Sequence, residues 1–206
     1  GINKVGFNYQ NYAFENMSGV LDLVDALNCS ASVKGGVNGN FIEYEGEIHN
    51  LLGIYANNET VTVSGKIVSP NLNLDDLLIH EEREPSTGIA IPKNLNLHLN
   101  VEVAQFQKKP FMARQINFEL KTTGKRFELP KMSLNMADGD VSLVGRMIQQ
   151  QNNEWYASIS AELAKVDVSK TFTIFNNFGQ TELIDNNLSG LLTANVDADF
   201  VFTSDF

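Results

Sequence analysis

The chain has 206 residues, of which 43% are hydrophobic and 19% are charged, a composition typical of globular proteins and not of disordered segments. Its 15 Lys and Arg against 25 Asp and Glu give a formal net charge of −10, which argues against nucleic acid as the main partner and disfavours adhesion to an anionic lipid surface. Cys29 is the only cysteine, so an internal disulfide and a thiolate metal cage are excluded.

The N-terminal part contains two ambiguous segments. MSGVLDLVDAL, from Met17, fits either a helix capped by Ser18 or a strand, and its similarity to NLSGLLTA from Asn187 favours the strand. The glycine-rich VKGGVNGN, from Val33, lacks the Lys-Ser/Thr of a phosphate-binding loop and predicts a bend.

Strict alternation of apolar and polar residues begins at Leu95. In NLNLHLNVEV this period of two predicts a strand with one apolar and one polar face. Five such strands, ending near Leu163, predict an antiparallel meander with tight turns at TTGKR, ADGD and QNNE. In ADGD the central residues of the turn, which need positive φ, are expected to be Asp138 and Gly139. The apolar residues that we expect to line one shared face are Leu95, Leu97, Leu99, Val101, Ile116, Phe118, Leu120, Met132, Leu134, Met136, Val141 and Leu143.

Weak internal similarity suggests that this arrangement occurs twice. NNETVTVSGKI from Asn57 resembles NNEWYASISAEL from Asn152, and a short helical pattern follows each segment, LNLDDLL in one case and VDVSKTF in the other. The sequence therefore predicts one elongated domain with two related halves, residues 1–80 and 93–206, joined by a loop near residues 80–92.

Phe172, Phe175 and Phe178 recur at every third position before Gly179, which predicts a helix of about three turns with the rings on one side. We expect the rings to be ordinary core and the helix to form a corner that closes one end of the sheet. The resulting fold class is mainly β, a curved antiparallel sheet of repeated meander units with short helical corners. A closed β-sandwich is the alternative.

No pattern in the chain predicts catalysis, a cofactor or a metal. The three histidines, His49, His80 and His98, have no ligand spacing, and the acidic residues that follow His80 fit a solvated loop. Turn and cap positions account for the acidic pairs Asp75–Asp76 and Asp138–Asp140. No GxSxG elbow is present, so we expect no enzyme activity.

Four segments resemble the C-terminal region of the AsmA-like family, in the form found in Bacteroidetes-type envelope proteins. They are VSGKIVSPNLNLDDLL from Val63, IPKNLNLHLNVEVAQF from Ile91, FELPKMSLNMADGDVSLVGRM from Phe127, and AELAKVDVSKTFTIFNNFGQTELIDNNLSGLL from Ala161. The resemblance covers roughly residues 61–192 and consists of an ordered set of patterns, without a single diagnostic motif.

The resemblance implies a periplasmic protein of the Gram-negative envelope, anchored to the inner membrane by a helix outside residues 1–206. It also implies a relationship to TamB and to the repeating β-groove lipid-transfer proteins, and hence a role in outer-membrane biogenesis. The expected partners are phospholipid or another acyl-chain ligand, on an apolar groove formed by the residues named above, and outer-membrane assembly proteins.

Two other functions fit the residue patterns. A sheet that closes completely would be a structural or protein-interaction domain without a ligand groove. A carbohydrate-binding sandwich would need exposed aromatic side chains, for which Trp155 is the single tryptophan candidate.

Overall fold

In the computed structural model the described residues are 1–9, 12–25, 27–54, 59–77, 94–150 and 154–203, and they form one sheet of eleven strands in which sequence order and spatial order coincide. Two short α-helices follow the fifth and tenth strands, and three short 3₁₀ helices lie in the connections, at Leu51–Ile54, Asn176–Gly179 and Asp185–Asn187. The strands are β1 (Ile2–Tyr9), β2 (Tyr12–Leu23), β3 (Cys29–Val37), β4 (Asn40–His49), β5 (Val61–Asn73), β6 (Leu95–Lys108), β7 (Phe111–Thr123), β8 (Arg126–Met136), β9 (Gly139–Gln149), β10 (Glu154–Asp167) and β11 (Leu191–Thr203); the helices are α1 (Leu74–Leu77) and α2 (Val168–Ile174).

The sheet is curved and unclosed, so the predicted fold class is confirmed. The antiparallel meander predicted from Leu95 to Leu163 is present as β6 to β10. Within the described residues β1 and β11 pair only with β2 and β10, and no second sheet forms, so the alternative of a closed sandwich is not what the chain adopts. None of the helices in these ranges is long and apolar enough to span a bilayer.

One strand pair departs from the predicted antiparallel arrangement. Strands β5 and β6 are parallel, with Val61 opposite Leu95 and Asn73 opposite Gln107. Parallel neighbours cannot be joined by a tight turn and need a longer connection. The loop predicted near residues 80–92 falls in this connection and lies outside the described residues.

Two turns differ from their predictions by small shifts. The stretch predicted as a bend at Val33 continues as β3, and its turn is confined to Asn38 and Gly39, both with positive φ. In ADGD the residues with positive φ are Ala137 and Asp138, whereas Asp138 and Gly139 were expected at these positions. A Cβ on Gly139 would lie 2.6 Å from the Cα of Val166, so this glycine permits a close approach of the backbones. QNNE lies partly outside the described residues.

The helix α2 is shorter than predicted. It ends at Ile174, and Asn176, Asn177 and Phe178 then adopt left-handed backbone conformations with φ between 50° and 52°. Asparagine tolerates this conformation better than most residues, so the chain turns back where a continued helix was expected. MSGVLDL, by contrast, is the strand that its similarity to NLSGLLTA favoured.

A strand is followed by a short helix at both β5–α1 and β10–α2, the two positions at which the sequence predicted a repeated unit. The strand after each helix is placed differently, since β6 is parallel to β5 and β11 is antiparallel to β10. No discontinuity divides the sheet into separate parts, because β5 and β6 pair from Val61 to Asn73.

Candidate functional site

All twelve predicted groove residues lie on one face of the sheet, which we call the apolar face. Cross-strand pairs fix this assignment, because directly opposite residues point to the same side. Leu99 is opposite Leu120, Phe118 is opposite Met132, and Leu134 is opposite Val141. The opposite side of the sheet, the polar face, carries the alternating polar residues.

The centre of the apolar face is buried by the protein itself. Six of the twelve residues are at most 9% exposed, and the other six pack beside them to different degrees. The buried six are Leu99, Val101, Ile116, Leu134, Met136 and Val141. The described residues form no second sheet, so this burial comes from side chains of successive strands that pack against one another, with Ile174 of α2 beside them.

The end strands leave the same face exposed. At one end Ile2, Phe7 and Leu23 are 50–69% exposed, and at the other end Val196 and Phe200 are 43% and 50% exposed. Register places them on the apolar face, since Leu23 is opposite the buried Cys29 and Val196 is opposite Ala161, which is itself opposite Leu143. Adjacent rings also stack here, with the centroids of Phe7 and Phe14 4.7 Å apart.

Sequence reasoning did not include these end strands among the site residues. The signal was available in β11, where LTANVDADF alternates apolar and polar residues in the same way as β6. In β1 and β2 the signal was weaker, because register shifts near Val5 and between Glu15 and Ser18 interrupt the period of two.

The polar face is held by exposed ion pairs between neighbouring strands. Lys66 lies 2.8 Å from Glu102, and His98 and Lys121 lie 2.9 and 2.8 Å from Glu119. Hydrogen bonds from Lys121 and then His98 lower the pKa of Glu119. Ion pairs this exposed to solvent contribute little to stability, because water and salt screen the two charges. Their main consequence is that this face is hydrated while the other is apolar.

A cavity of about 490 Å³ lies at the α2 end of the sheet. Its apolar lining includes Leu72, Phe106 and Met136, together with Ile174 of α2. Met136 belongs to the buried central cluster of the apolar face, and the other three pack against it. The central cluster consists of Leu99, Val101, Val103, Ala113, Ile116, Leu134, Met136, Ala137, Val141 and Val166. The cavity therefore adjoins the apolar face and is not a separate surface feature. Its size falls within the range of about 300–1,000 Å³ that is usual for small-molecule sites.

Polar groups surround this cavity. Lys170 of α2 pairs with Asp138 of the β8–β9 turn, and this hydrogen bond raises the pKa of Lys170. Arg114 also borders the cavity, but it is opposite Asn135 in the register, which places its side chain on the polar face. Nearby, the Lys108 ammonium lies 2.6 Å from an Asp75 oxygen, which connects α1 to the end of β6. Hydrogen bonds from Lys108 and from the Lys109 amide lower the pKa of Asp75.

The predicted corner residues lie beside this cavity but are not ordinary core. Phe175 and Phe178 are 44% and 57% exposed, and the prediction that they are core is wrong for these two. The three rings instead contact one another, with centroids 5.1 Å apart for Phe172–Phe178 and 5.2 Å apart for Phe175–Phe178. Ile174 is the residue of α2 that packs against the central cluster.

The acidic residues and histidines considered from the sequence are dispersed. Asp138 and Asp140 bind Lys170 and Asn135, respectively, and do not form a pair. His49 and His98 are exposed, and His80 with its acidic neighbours lies outside the described residues. Within the ranges that the structure covers, no group of three or more His, Cys, Asp or Glu side chains is placed to hold a metal ion.

Comparison with known proteins identifies no relative of this chain: no family model, no curated protein and no solved structure matches it. The AsmA-like resemblance therefore stays a prediction. What the chain can do must be argued from its own geometry.

Proposed function

We propose that the protein is a non-enzymatic module that binds the acyl chains of phospholipid along the apolar face of its open sheet. The observation that carries this proposal is the incomplete burial of that face. Its centre is sealed, while large apolar side chains on the end strands, such as Phe7 and Phe200, remain half exposed. An apolar surface of this kind on an unclosed sheet needs a cover, and an acyl chain provides one.

Binding of this kind needs no reactive group. Removing a methylene from water is favourable by about 0.8 kcal/mol, so an acyl chain gains affinity in proportion to the length that contacts the end strands. The exposed side chains on the end strands differ in shape, with Ile2, Phe7 and Leu23 at one end and Val196 and Phe200 at the other, which suits a ligand of variable composition. Release is equally simple, because no covalent bond or buried ion pair must be broken.

On the basis of the AsmA-like resemblance, we propose that this activity belongs to the periplasm of a Gram-negative cell and to a protein with an inner-membrane anchor. The activity would then serve outer-membrane biogenesis, with outer-membrane assembly proteins as further partners. The net charge of −10 favours transfer of single lipid molecules over adhesion of the whole sheet to an anionic bilayer.

A structural or protein-interaction module remains the second candidate, because one observation favours it. Six predicted groove residues are buried without any ligand, as they would be in a core that has only a structural role. The two functions differ in what occupies the exposed end strands.

The test is lipid capture by the folded chain. The protein is incubated with vesicles of phosphatidylethanolamine and phosphatidylglycerol, separated from them, and analysed by native mass spectrometry with lipid extraction. Retained phospholipid at a defined stoichiometry supports the proposal. A lipid-free mass from protein with an intact circular-dichroism spectrum would reject it and favour the structural module.

A matched pair of substitutions shows whether the apolar face is responsible. Val196 lies on the apolar face of β11 and Val144 on the polar face of β9, and they are 43% and 49% exposed. We expect Val196→Asp to abolish lipid retention and Val144→Asp to leave it unchanged. Equal retention by the two variants would mean that lipid binds elsewhere.

A further inference from the structure

The two end strands of the sheet differ in how their outer edges are built. Within the described residues, β1 and β11 each pair with a single neighbour, so each has an outer row of backbone N–H and C=O groups that no strand occupies. An edge of this kind can pair with a strand of another chain, and most proteins prevent such pairing with bulges, prolines or inward-facing charges. These features therefore indicate which of the two edges is available.

The edge of β1 is irregular. Its pairing with β2 shifts register on both sides of Val5, and Lys4 has a positive φ of 50°. Continuous pairing is confined to the last three residues of the strand, from Phe7 to Tyr9. Bulges bend a strand and interrupt the regular spacing of its outward backbone groups, so β1 is a poor template for a further strand.

The edge of β11 is regular over most of its length. This strand pairs with β10 without interruption from Ala194, opposite Leu163, to Thr203, opposite Glu154. Its 13 residues include no proline, glycine or lysine. Because every second residue of a regular strand directs its N–H and C=O to the same edge, β11 offers about four such residues between Ala194 and Val201.

The side chains of β11 determine which strand fits this edge. Val196 and Phe200, about half exposed on the apolar face, favour apolar side chains at the opposite positions of a partner strand. The polar face of the same strand carries Asp197 and Asp199 and no cation. Opposite charges on directly opposite residues stabilise a strand pair, so the partner should alternate between apolar residues and cations.

The two aspartates are oriented by β10 and still accessible to a further cation. Asp197 accepts a hydrogen bond of 2.6 Å from the Ser160 hydroxyl, and Asp199 accepts one of 2.6 Å from the Tyr156 hydroxyl. In the part of the chain that the structure describes, no cationic side chain lies within ion-pair distance of either carboxylate. The Tyr156 hydrogen bond is the main cause of the lowered pKa of Asp199, and the charge of Arg146 on β9 is a minor one. Since a carboxylate accepts several hydrogen bonds, each aspartate can also bind a lysine or arginine on its outer side.

A second copy of β11 fits this edge poorly. In the antiparallel register that overlaps the whole strand, Leu191–Thr203, Asp197 would lie opposite its own counterpart and Asp199 opposite Asn195. Like charges directly opposite one another destabilise a strand pair. The irregular β1 of a second copy offers little continuous pairing, so the strand that fits best belongs to a different protein.

We propose that the outer edge of β11 binds an extended segment of another protein in which apolar residues alternate with lysine or arginine. The segment pairs with the backbone between Ala194 and Val201 and adds a strand to the sheet. Its cations bind Asp197 and Asp199 on the polar face, and its apolar side chains continue the apolar face. This activity is separate from acyl binding, because the partner's backbone occupies the edge of the sheet and an acyl chain occupies its face.

The test measures the binding of synthetic peptides to the folded protein. The probe is a fluorescein-labelled peptide of about ten residues in which valine alternates with lysine. A second peptide has glutamate in place of lysine, and a third has the composition of the first with its valines and lysines in two separate blocks. We expect fluorescence anisotropy at low ionic strength to show the alternating lysine peptide binding about tenfold or more tightly than either control, because the controls lose the cross-strand charge pairs or the strand pattern.

Substitutions in the protein locate the site. Asp197→Asn and Asp199→Asn keep the size of the side chain, and each should weaken binding of the alternating lysine peptide about threefold. The control is Glu45→Gln, which removes an exposed carboxylate from the polar face of β4 and should leave the affinity unchanged. Hydrogen exchange measures backbone pairing separately, and the bound peptide should slow exchange in β11 and leave exchange in β1 unchanged.

Four results would overturn the inference. Equal binding of the block peptide would show attraction between charges without strand pairing. Slowed exchange in β1, or in neither end strand, would place the peptide elsewhere. Dimerisation of the protein alone, with slowed exchange in β11, would assign this edge to a second copy. Failure of every peptide to bind a protein that still captures phospholipid would reject this inference and leave the proposed function intact.

Discussion

Phe200 offers the most direct test of the apolar face. It is 50% exposed on the apolar face of β11, and the next residue, Val201, is 65% exposed on the polar face. A phenylalanine side chain buries about 150–250 Å² when fully enclosed, so about 100 Å² of Phe200 is free to be covered by a ligand. At about 25 cal/mol per Å² this area is worth about 2.5 kcal/mol.

The substitution Phe200→Ala should therefore weaken acyl binding by about 2 kcal/mol, or about 30-fold, because alanine keeps only a small part of this area. Val201→Ala, one residue away on the other face, should change the affinity less than about twofold. The assay is fluorescence titration with a dansyl-labelled fatty acid, and the free energy of unfolding in urea is measured for both variants.

We expect both variants to be folded, since surface substitutions at exposed positions usually change stability by about 0.5 kcal/mol or less. Two results would refute the reasoning. One is an equal loss of affinity in both variants, which would mean that the faces are not distinguished. The other is unchanged affinity in Phe200→Ala, which would mean that the ligand does not touch β11.

Two further predictions concern the framework that supports this face. Gly46→Ala should destabilise the fold by several kcal/mol in urea unfolding, because a Cβ there would lie 2.0 Å from a carbonyl oxygen of β5. The control is Gly145→Ala, which should be nearly neutral because the nearest atom to its Cβ would be 3.6 Å away. Asp75→Asn should lower the unfolding midpoint at neutral pH, because it removes the ion pair with Lys108. Since the folded-state pKa of Asp75 is lowered, this contribution is complete above about pH 4 and is lost as the pH falls through the lowered value, so wild type and variant should converge in acid. A difference in midpoint that persists at about pH 2 would contradict this explanation.

The fold class could be predicted because its signal is local. In each strand from Leu95 onward, the alternation of apolar and polar residues predicts which side chains lie on which face of the sheet. The tight turns predict that neighbouring strands pair antiparallel. Two-residue turns such as Gly124–Lys125 then fix the register, since Thr123 pairs with Arg126. A pattern repeated in every strand also predicts the shared apolar face.

The parallel pairing of β5 with β6 could not be predicted in this way. Pairing direction across a long connection depends on where the chain returns, and no residue type between the two strands encodes it. The same limit applies to Gly139, whose close approach to Val166 involves a strand far along the chain. The turn itself was predicted, but its central residues are Ala137 and Asp138, and the role of Gly139 depends on that distant neighbour.

The candidate site was predicted only in part. Alternation places Leu99 and Phe118 on the apolar face, but it does not show how strongly the sheet curves, and curvature decides which of these residues are buried. The sequence predicted that the exposed part of the apolar face lies on the central strands, whereas in the structure it lies on the end strands. The cavity at α2 depends on where Ile174 packs against the ends of the central strands, which periodicity does not report.

The single parallel junction has a consequence for how the molecule folds. In every hairpin, pairing can begin beside the turn and extend outward, so the first contacts close only a short loop. Opposite residues of β5 and β6 are always 34 positions apart, from Val61 with Leu95 to Asn73 with Gln107. Every pair in this junction closes a loop of the same length, so the entropic cost of loop closure is the same for all of them. No pair is therefore favoured as the point at which β5 and β6 begin to pair.

Strands β1 to β5 and β6 to β11 should therefore form as two cooperative units, and their association should be the slow final step. Native-state hydrogen exchange would show this as two groups of amides with different opening free energies, divided between β5 and β6. The central cluster spans that division, since Ile67 of β5 packs against the group that contains Val101 of β6. Formation of the first unit alone would leave part of the apolar face uncovered, and completing the sheet would bury it.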